Sequence, residues 1–452
     1  MKLSFRLLLP LGFLTGLSLT AMAEDPVVMP EQVFPQLKQI MDTAVTQSPR
    51  MILRNLDLMV AEGDLTQAKA GMLPSVSGTY QISKAKDDRE DQIETLDTDK
   101  VYYNLLISQP VFHWNERRNN ARIGELRKHI AERQYEEAYR VLAMEIRSTY
   151  LQLILKKIQL VNIRNERKLS DDALKLAEEK LAQRVTSEGE IFQVRIANDR
   201  AQLAQEYAEL EFLQLKQNFA ALTGQPLPDD DSIPNEIYGL PSSATGVSRL
   251  LADFLGHSEP PVTQALILQR QIEVEDLSYQ NQRKRLLPKF NLVAGLSQDE
   301  QSYTANVGLK YGVQSRYVGM QANWNIFDGF AARGAATSAL ARKRQLEASY
   351  RQLKDTLAQD AQRAAKQVEL AFRQMQINDR LLASAMEFLK YRQGDFQRGL
   401  ASETDLAGAE AGYRSMFAST VSSRYNYLMR VVEFVSLIGA DPVTNGLTHP
   451  KS

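Results

Sequence analysis

Residues 101–112 read Val-Tyr-Tyr-Asn-Leu-Leu-Ile-Ser-Gln-Pro-Val-Phe. Val101, Tyr103, Leu105 and Ile107 share one face at a period of two, opposite Tyr102, Asn104, Leu106 and Ser108. That is the pattern of a β-strand. Beyond Pro110 the pattern changes. From about Asn115 to Arg184 there is no proline and a single glycine, Gly124, and Ala, Leu, Glu, Gln, Arg and Lys dominate. These are strong helix formers. Leu142, Ile146, Tyr150 and Leu153, then Ile158 and Val161, recur at helical spacing. A helix of that length is about 100 Å long at about 1.5 Å per residue, far beyond the usual ~11–12 residues. It has to lie in a coiled coil or a helical tube.

The same signals occur twice. Leu73-Pro74 recurs as Leu287-Pro288, Pro110-Val111-Phe112 as Asn325-Ile326-Phe327, Ser187-Glu188 as Ser402-Glu403, and Leu222-Thr223-Gly224 as Leu437-Ile438-Gly439. The offset is 214 at the first anchor and 215 at the other three. A period that long is no solenoid unit; it is a duplicated half-molecule. The second long helix is expected over about Ala332–Phe396. Three further strands are expected. Val76, Tyr80 and Ile82 oppose Ser75, Ser77, Thr79 and Gln81; Phe290, Leu292, Ala294 and Leu296 oppose Asn291, Val293 and Gly295; Val318, Met320, Ala322, Trp324 and Ile326 oppose Gly319, Gln321, Asn323 and Asn325. Four strands of about 8–11 residues, apolar on one face, match transmembrane β-strands with lipid outside and water inside. Alternating strands also occur in soluble sheets. On the membrane reading the lipid-facing residues are Val76, Tyr80, Ile82, Tyr103, Leu105, Ile107, Phe290, Leu292, Met320 and Trp324, with Tyr80, Tyr102, Tyr103, Tyr317 and Trp324 at the membrane interfaces. The polar stretches Lys84–Lys100 and Gln298–Arg316 are then extracellular loops; on the other reading they are ordinary hairpin loops.

Each long helix runs into a polar turn and a second helix. The turns are Arg184-Val185-Thr186-Ser187-Glu188-Gly189-Glu190 and Arg398-Gly399-Leu400-Ala401-Ser402-Glu403-Thr404-Asp405. In both, Ser followed by Glu is a helix N-cap with an acid in the first turn. The returning helices end at Gly224 and Gly439, where glycine terminates helices. Two helical hairpins with equivalent tips result.

Composition narrows the function. The 452 residues carry 54 Lys+Arg against 55 Asp+Glu, which gives no electrostatic case for nucleic-acid binding. Cysteine is absent, so disulfides, thiolate sites and a lipidated N-terminal cysteine are excluded. Four scattered histidines argue against a histidine metal cluster, and no phosphate loop, nucleophile elbow or zinc motif is present. No cofactor, no metal and no catalytic residue is expected; the chain is read as a non-enzyme. The 13 methionines fit gap-filling in packed helices better than a metal pathway. Lys2 and Arg6, the apolar run Leu7–Leu19 and Ala21-Met22-Ala23 form a secretory signal peptide over residues 1–23. The repeats then occupy 24–224 and 262–439, joined by a linker over 225–261 rich in Pro, Gly, Ser and Asp and followed by a tail over 440–452. Four strands cannot close a barrel, and an open edge in lipid leaves backbone groups unpaired at several kcal/mol each. Two chains give eight strands, too narrow for a solute channel; three give twelve.

In its duplicated layout, its Leu-Pro before strands one and three, its strand ends Gln109-Pro110-Val111-Phe112 and Asn323-Trp324-Asn325-Ile326-Phe327-Asp328-Gly329 and its Leu-Thr-Gly ending, the chain resembles the TolC-like outer-membrane efflux protein family (outer membrane factors). The resemblance implies an α+β channel-tunnel. In it a shared 12-stranded β-barrel, four strands per chain, continues into a long α-helical barrel. It implies a homotrimer in the outer membrane of a Gram-negative bacterium, embedded in outer-membrane lipid and extending into the periplasm. It would be a passive exit duct of a tripartite efflux or type I secretion system, docked to a periplasmic adaptor and an inner-membrane transporter. The family's Val/Ile-Gly-Leu/Thr-like tip motif maps adaptor docking onto Arg184, Val185, Thr186 and Ser187, and onto Arg398, Gly399, Leu400 and Ser402; the first tip lacks the glycine. The family's constriction acids map onto Asp405, with Glu190 equivalent and Glu403 nearby, while Gly408 stands where a second acid would follow. The other reading of these acids is first-turn charges complementing the helix dipole. The competing function is a periplasmic coiled-coil adaptor or scaffold, which accounts for the hairpins but not the four strands.

Overall fold

The computed structural model describes residues 27–87, 96–241, 243–303 and 310–444. The signal-like segment, parts of both strand connections and the end of the tail lie outside the described residues. Pro30, Pro35 and Pro49 each open a helix at its first position, where the missing N–H is no loss: α1 (Pro30–Val33), α2 (Pro35–Gln47) and α3 (Pro49–Ala70). Strands β1 (Ser75–Asp87) and β2 (Leu96–Phe112) follow, then α4 (Glu116–Ala182) and α5 (Glu188–Thr223). A 3₁₀ turn (Asp230–Ser232) and α6 (Thr245–Gly256) connect to the second copy: α7 (Thr263–Arg283), β3 (Lys289–Tyr303), β4 (Lys310–Asn323), α8 (Ala331–Gln397) and α9 (Glu403–Leu437). A second 3₁₀ turn spans Pro442–Thr444. The two long helices have 67 residues each.

The four strands form one antiparallel sheet in the order β1-β2-β3-β4, with β1 and β4 as open edges. Beneath it α3 packs on α4, α4 on α7, and α7 on α8, so the helices continue the order of the strands they adjoin. The returning helices pair with their own repeat, α5 on α4 and α9 on α8.

The strands have 13, 17, 15 and 14 residues, longer than the sequence pattern predicted. The stretch expected as a loop from Lys84 keeps pairing, because its charges are complementary across the ladder. Lys84 lies opposite Asp99, and the two form an ion pair of 3.8 Å. Periodicity of apolar residues could not reveal this. Likewise β3 runs past Gln298 to Tyr303, and β4 starts at Lys310. At its other end β4 stops at Asn323, so Trp324 and Ile326 are not strand residues. The Trp324 indole instead donates to the Leu286 carbonyl at 2.9 Å, and the Asp328 carboxylate caps α8 by accepting from the Ala332 N–H at 2.9 Å.

The main core sits midway along the helices. Leu142, Ile146 and Leu153 are fully buried there, as their spacing predicted; Val161 is not and lies half-exposed at the surface. The segment after α5 is seated on both repeats. Ile233 and Ile237 are buried. Lys157 of α4 donates to the carbonyls of Asp230 (2.7 Å) and Ile233 (2.6 Å), and Arg424 of α9 to the Ile237 carbonyl at 2.7 Å. Gly224 and Gly439 end α5 and α9 with φ of +72° and +73°. Both are pressed against backbone, Gly224 on Gln47 and Gly439 on Pro261, so a Cβ at either would overlap a carbonyl. No helix among the described residues is long and apolar enough to cross a membrane.

Candidate functional site

Two surfaces and one buried cluster carry the chemistry. The first surface is the sheet. The register aligns Val76 with Ile107, Ile107 with Ala294, and Ala294 with Val318. Two rows further along the same face, past Gly78 and Leu105, Tyr80 aligns with Tyr103. Leu292 pairs Met320 on the same face. Residues picked from four separate strands thus form one continuous face. Its side chains are open to solvent in the single chain: Val76 is 64%, Tyr80 68%, Val318 79% and Met320 69% exposed. Side chains this apolar and this exposed, over a whole sheet face, require a cover. Tyr102 and Tyr317 belong to the opposite, polar face. Tyr317 pairs with Gly295, and its ring lies over that glycine where a Cβ would collide with it. Of the tyrosines expected at the membrane interfaces, Tyr102 and Tyr317 therefore do not share the face of Tyr80 and Tyr103, because adjacent strand residues point to opposite sides.

The second surface comprises the hairpin tips. Both long helices end in the same hydrogen-bonded turn. In the first tip the Val185 N–H donates to the Lys180 carbonyl (2.9 Å) and the Arg184 N–H to that of Leu181 (2.8 Å). In the second, Leu400 donates to Asp395 (2.8 Å) and Gly399 to Phe396 (2.9 Å). This pair of bonds needs one left-handed residue. Gly399 supplies it with φ +73°, and Arg184 supplies it with φ +58°. The residue equivalent to the tip glycine is thus Arg184, and Val185 matches Leu400, each 71% exposed.

The acids expected at a constriction are also capping residues. Asp405 Oδ2 accepts from the Ser402 hydroxyl (2.7 Å) and N–H (3.0 Å), while the Asp405 N–H donates to the Ser402 hydroxyl at 3.1 Å. Glu190 accepts from the Thr186 hydroxyl and, at 3.4 Å, from the Ser187 N–H. These are capping boxes. The Ser402 hydroxyl, then its N–H, hold Asp405 below the ordinary aspartate value of 3.8. The Thr186 hydroxyl, then the Ser187 N–H, lower Glu190 in the same way. Both carboxylates stay fully exposed, and Glu403 makes no ion pair among the described residues. Gly408 lines a groove of about 400 Å³ between α8 and α9, together with Phe388, Arg392, Asp405, Gly412 and Tyr413.

The buried cluster escaped the sequence reading. Arg147 is 0% exposed in the middle of α4. Its guanidinium donates to both oxygens of Glu31 (2.9 and 2.6 Å) and to both of Asp441 (2.7 and 3.0 Å). Burial pulls against its charge, but the two carboxylates prevail and its pKa is raised. The available signal was a lone charge between Ala143, Tyr150, Leu151 and Ile154, all buried on the same helix face.

A family model described as outer membrane efflux protein matches residues 40–225 and 268–440. The chain belongs to the outer membrane efflux protein family. The two matched segments fall on the two repeats, and the break between them falls on the segment containing α6. Solved structures agree in fold. The outer membrane protein VceC of Vibrio cholerae is 16% identical with a TM-score of 0.66, covering 90% of this chain and 97% of its own. The CmeC outer membrane channel of Campylobacter jejuni is 15% identical with a TM-score of 0.71, over 92% and 87%. The MtrE outer membrane channel of Neisseria gonorrhoeae, in an open state, is 14% identical with a TM-score of 0.64, over 93% and 93%. No functionally curated protein sequence matches the chain. Membership of this family makes the chain an outer-membrane efflux duct rather than a soluble periplasmic scaffold, and it gives the exposed apolar sheet face a membrane to meet.

Proposed function

We propose that three copies of this chain close a 12-stranded barrel in the outer membrane and a helical tunnel below it, forming a passive exit duct without enzymatic activity. The observation that carries this is the sheet: two open edges and one continuous apolar face, neither of which a single chain satisfies. Val76, Tyr80, Ile82, Tyr103, Leu105, Ile107, Phe290, Leu292 and Met320 then meet lipid, with Trp324 just below the strand end. The repeats over 24–224 and 262–439 are the two halves of each chain's wall, and 225–261 with 440–452 form the equatorial belt. The tips around Arg184–Ser187 and Arg398–Ser402 dock a periplasmic adaptor that links the duct to an inner-membrane transporter. Asp405, Glu190 and Glu403 ring the periplasmic mouth, where gathered negative charge attracts cations.

The test is conductance in planar lipid bilayers. The purified protein should give discrete steps that polyvalent cations block from the tip side, and Asp405→Ala should weaken the block. Absence of conductance would overturn the duct; conductance with unchanged block in Asp405→Ala would remove Asp405 from the mouth.

A further inference from the structure

The two tips share one backbone and differ in where their arginine stands: at the left-handed position in the first, Arg184, and one residue before it in the second, Arg398. Both turns make the same pair of hydrogen bonds at matching distances, and both expose an aliphatic residue to the same degree. The turn needs a left-handed residue and nothing more, and Gly399 meets that need at no steric cost. At the equivalent place stands Arg184. A side chain in the left-handed region is strained by its Cβ. A cation at an exposed helix C-terminus offsets only part of that strain. The turn geometry therefore does not account for the arginine.

Its surroundings do not account for it either. Arg184 makes no ion pair or side-chain hydrogen bond among the described residues. The neighbouring tip carries a cation too, Arg398, but that one is tied to its own helix by the Asp395 carboxylate at 2.8 Å. The acids of the first tip do not reach Arg184: Glu190 is occupied by Thr186 and Ser187. The first tip thus ends in an exposed, unpaired guanidinium beside an exposed Val185, and the second in a bare glycine beside Leu400 with its cation, Arg398, paired to Asp395.

We infer that Arg184 is a specificity-determining residue of the first tip, reading a carboxylate on the docking partner and so distinguishing the two otherwise equivalent tips. In a trimer the six tips alternate, three with a free guanidinium and three without. A threefold partner ring in which acidic and neutral hairpins alternate has two rotational registers on these tips, and only one of them places its acidic side chains against Arg184. The aliphatic contacts at Val185 and Leu400 are the same in both registers, so charge has to make the choice. This inference rests on the reading that the tips dock an adaptor.

The chain's lack of cysteine makes the test clean. Val185→Cys and Leu400→Cys are introduced separately, and each is cross-linked in cells with a thiol-to-amine reagent. The probe is a tagged periplasmic adaptor of a tripartite efflux system, produced in the same cells. Both sites should capture it. Arg184→Glu should then reduce capture at position 185 about tenfold and leave capture at 400 within about twofold, a change typical of one interfacial charge pair. Arg184→Gly, which relieves the backbone and cannot unfold the turn, should reduce capture at 185 about threefold and make it insensitive to salt. Replacing an acidic residue of the adaptor's hairpin loop by Lys should restore capture to Arg184→Glu. Equal capture by Arg184→Glu and the parent, or equal loss at both sites in Arg184→Gly, overturns the inference while leaving docking at the tips intact. No capture at either cysteine in the parent overturns the docking reading itself, and this inference with it.

Discussion

Replacing Arg147 should cost more than any surface charge in the molecule, and the structure fixes why. The guanidinium is wholly buried and holds Glu31 of α1 and Asp441 beyond α9, whose side chains are 12% and 1% exposed. It is the clasp by which the start and end of the described chain are fastened to the midpoint of α4. Arg147→Met keeps the length and apolar stem of the side chain and removes the charge, so two carboxylates remain in the core without a cation. Removing one member of a buried ion pair costs about 3–5 kcal/mol. At about 2.1 cal/mol/K per residue, unfolding the whole chain carries about 0.9 kcal/mol/K of entropy, so the loss appears as a fall in Tm of about 3–5 °C. The assay is thermal unfolding followed by circular dichroism in detergent at a fixed scan rate. The control is Arg147→Met combined with Glu31→Gln and Asp441→Asn, which removes the stranded charges and should recover most of the loss. A fall below about 1 °C for the single variant, or a triple variant no better than the single one, would show that the buried guanidinium does not hold the two carboxylates in place.

Other consequences follow from geometry. Gly224→Ala puts a Cβ into the Gln47 carbonyl at a positive φ; it should destabilise by about 2–5 kcal/mol and lower the folded yield, while Gly189→Ala, with only the Ser187 hydroxyl nearby, should be neutral or slightly stabilising. On the sheet, Leu105→Arg should cost about 2–4 kcal/mol of membrane insertion and Thr79→Arg on the polar face far less, read as the amount of each variant assembled in outer-membrane fractions. The tip caps have a defined pH window. Asp405 is lowered below its unfolded value, so its contribution is complete above about pH 4 and is lost as pH falls through the folded value. Amide exchange at the start of α9, corrected for intrinsic rates, should show constant protection from pH 7 to 5 and lose it only below that; a loss already at pH 6 would contradict the capping role.

Much of this architecture could be read from residue order. The long helices were legible because nothing between Asn115 and Arg184 interrupts them, and the second copy repeats the boundaries at an almost constant offset. The sheet face was legible because Val76, Leu105, Leu292 and Met320 each alternate with polar neighbours, and alternation survives whatever the strand pairs with. Strand ends were not, since Lys84 and Asp99 look like a loop until they are seen opposite one another. The clasp was hidden because its members lie 116 and 294 residues apart, and no local period connects them. Arg184 is the intermediate case. Alignment of the two copies sets it opposite Gly399, yet only the backbone angle shows that the arginine adopts the glycine's conformation.

A chain with four strands and two open sheet edges is a third of the closed channel proposed above. Native mass spectrometry of the complex extracted from outer-membrane fractions tests it most directly. The expected spectrum shows a single species containing three copies of the chain, with no stable smaller form in detergents that preserve the barrel. A species of one or two copies, or recovery of the protein only from the soluble periplasmic fraction, would contradict it.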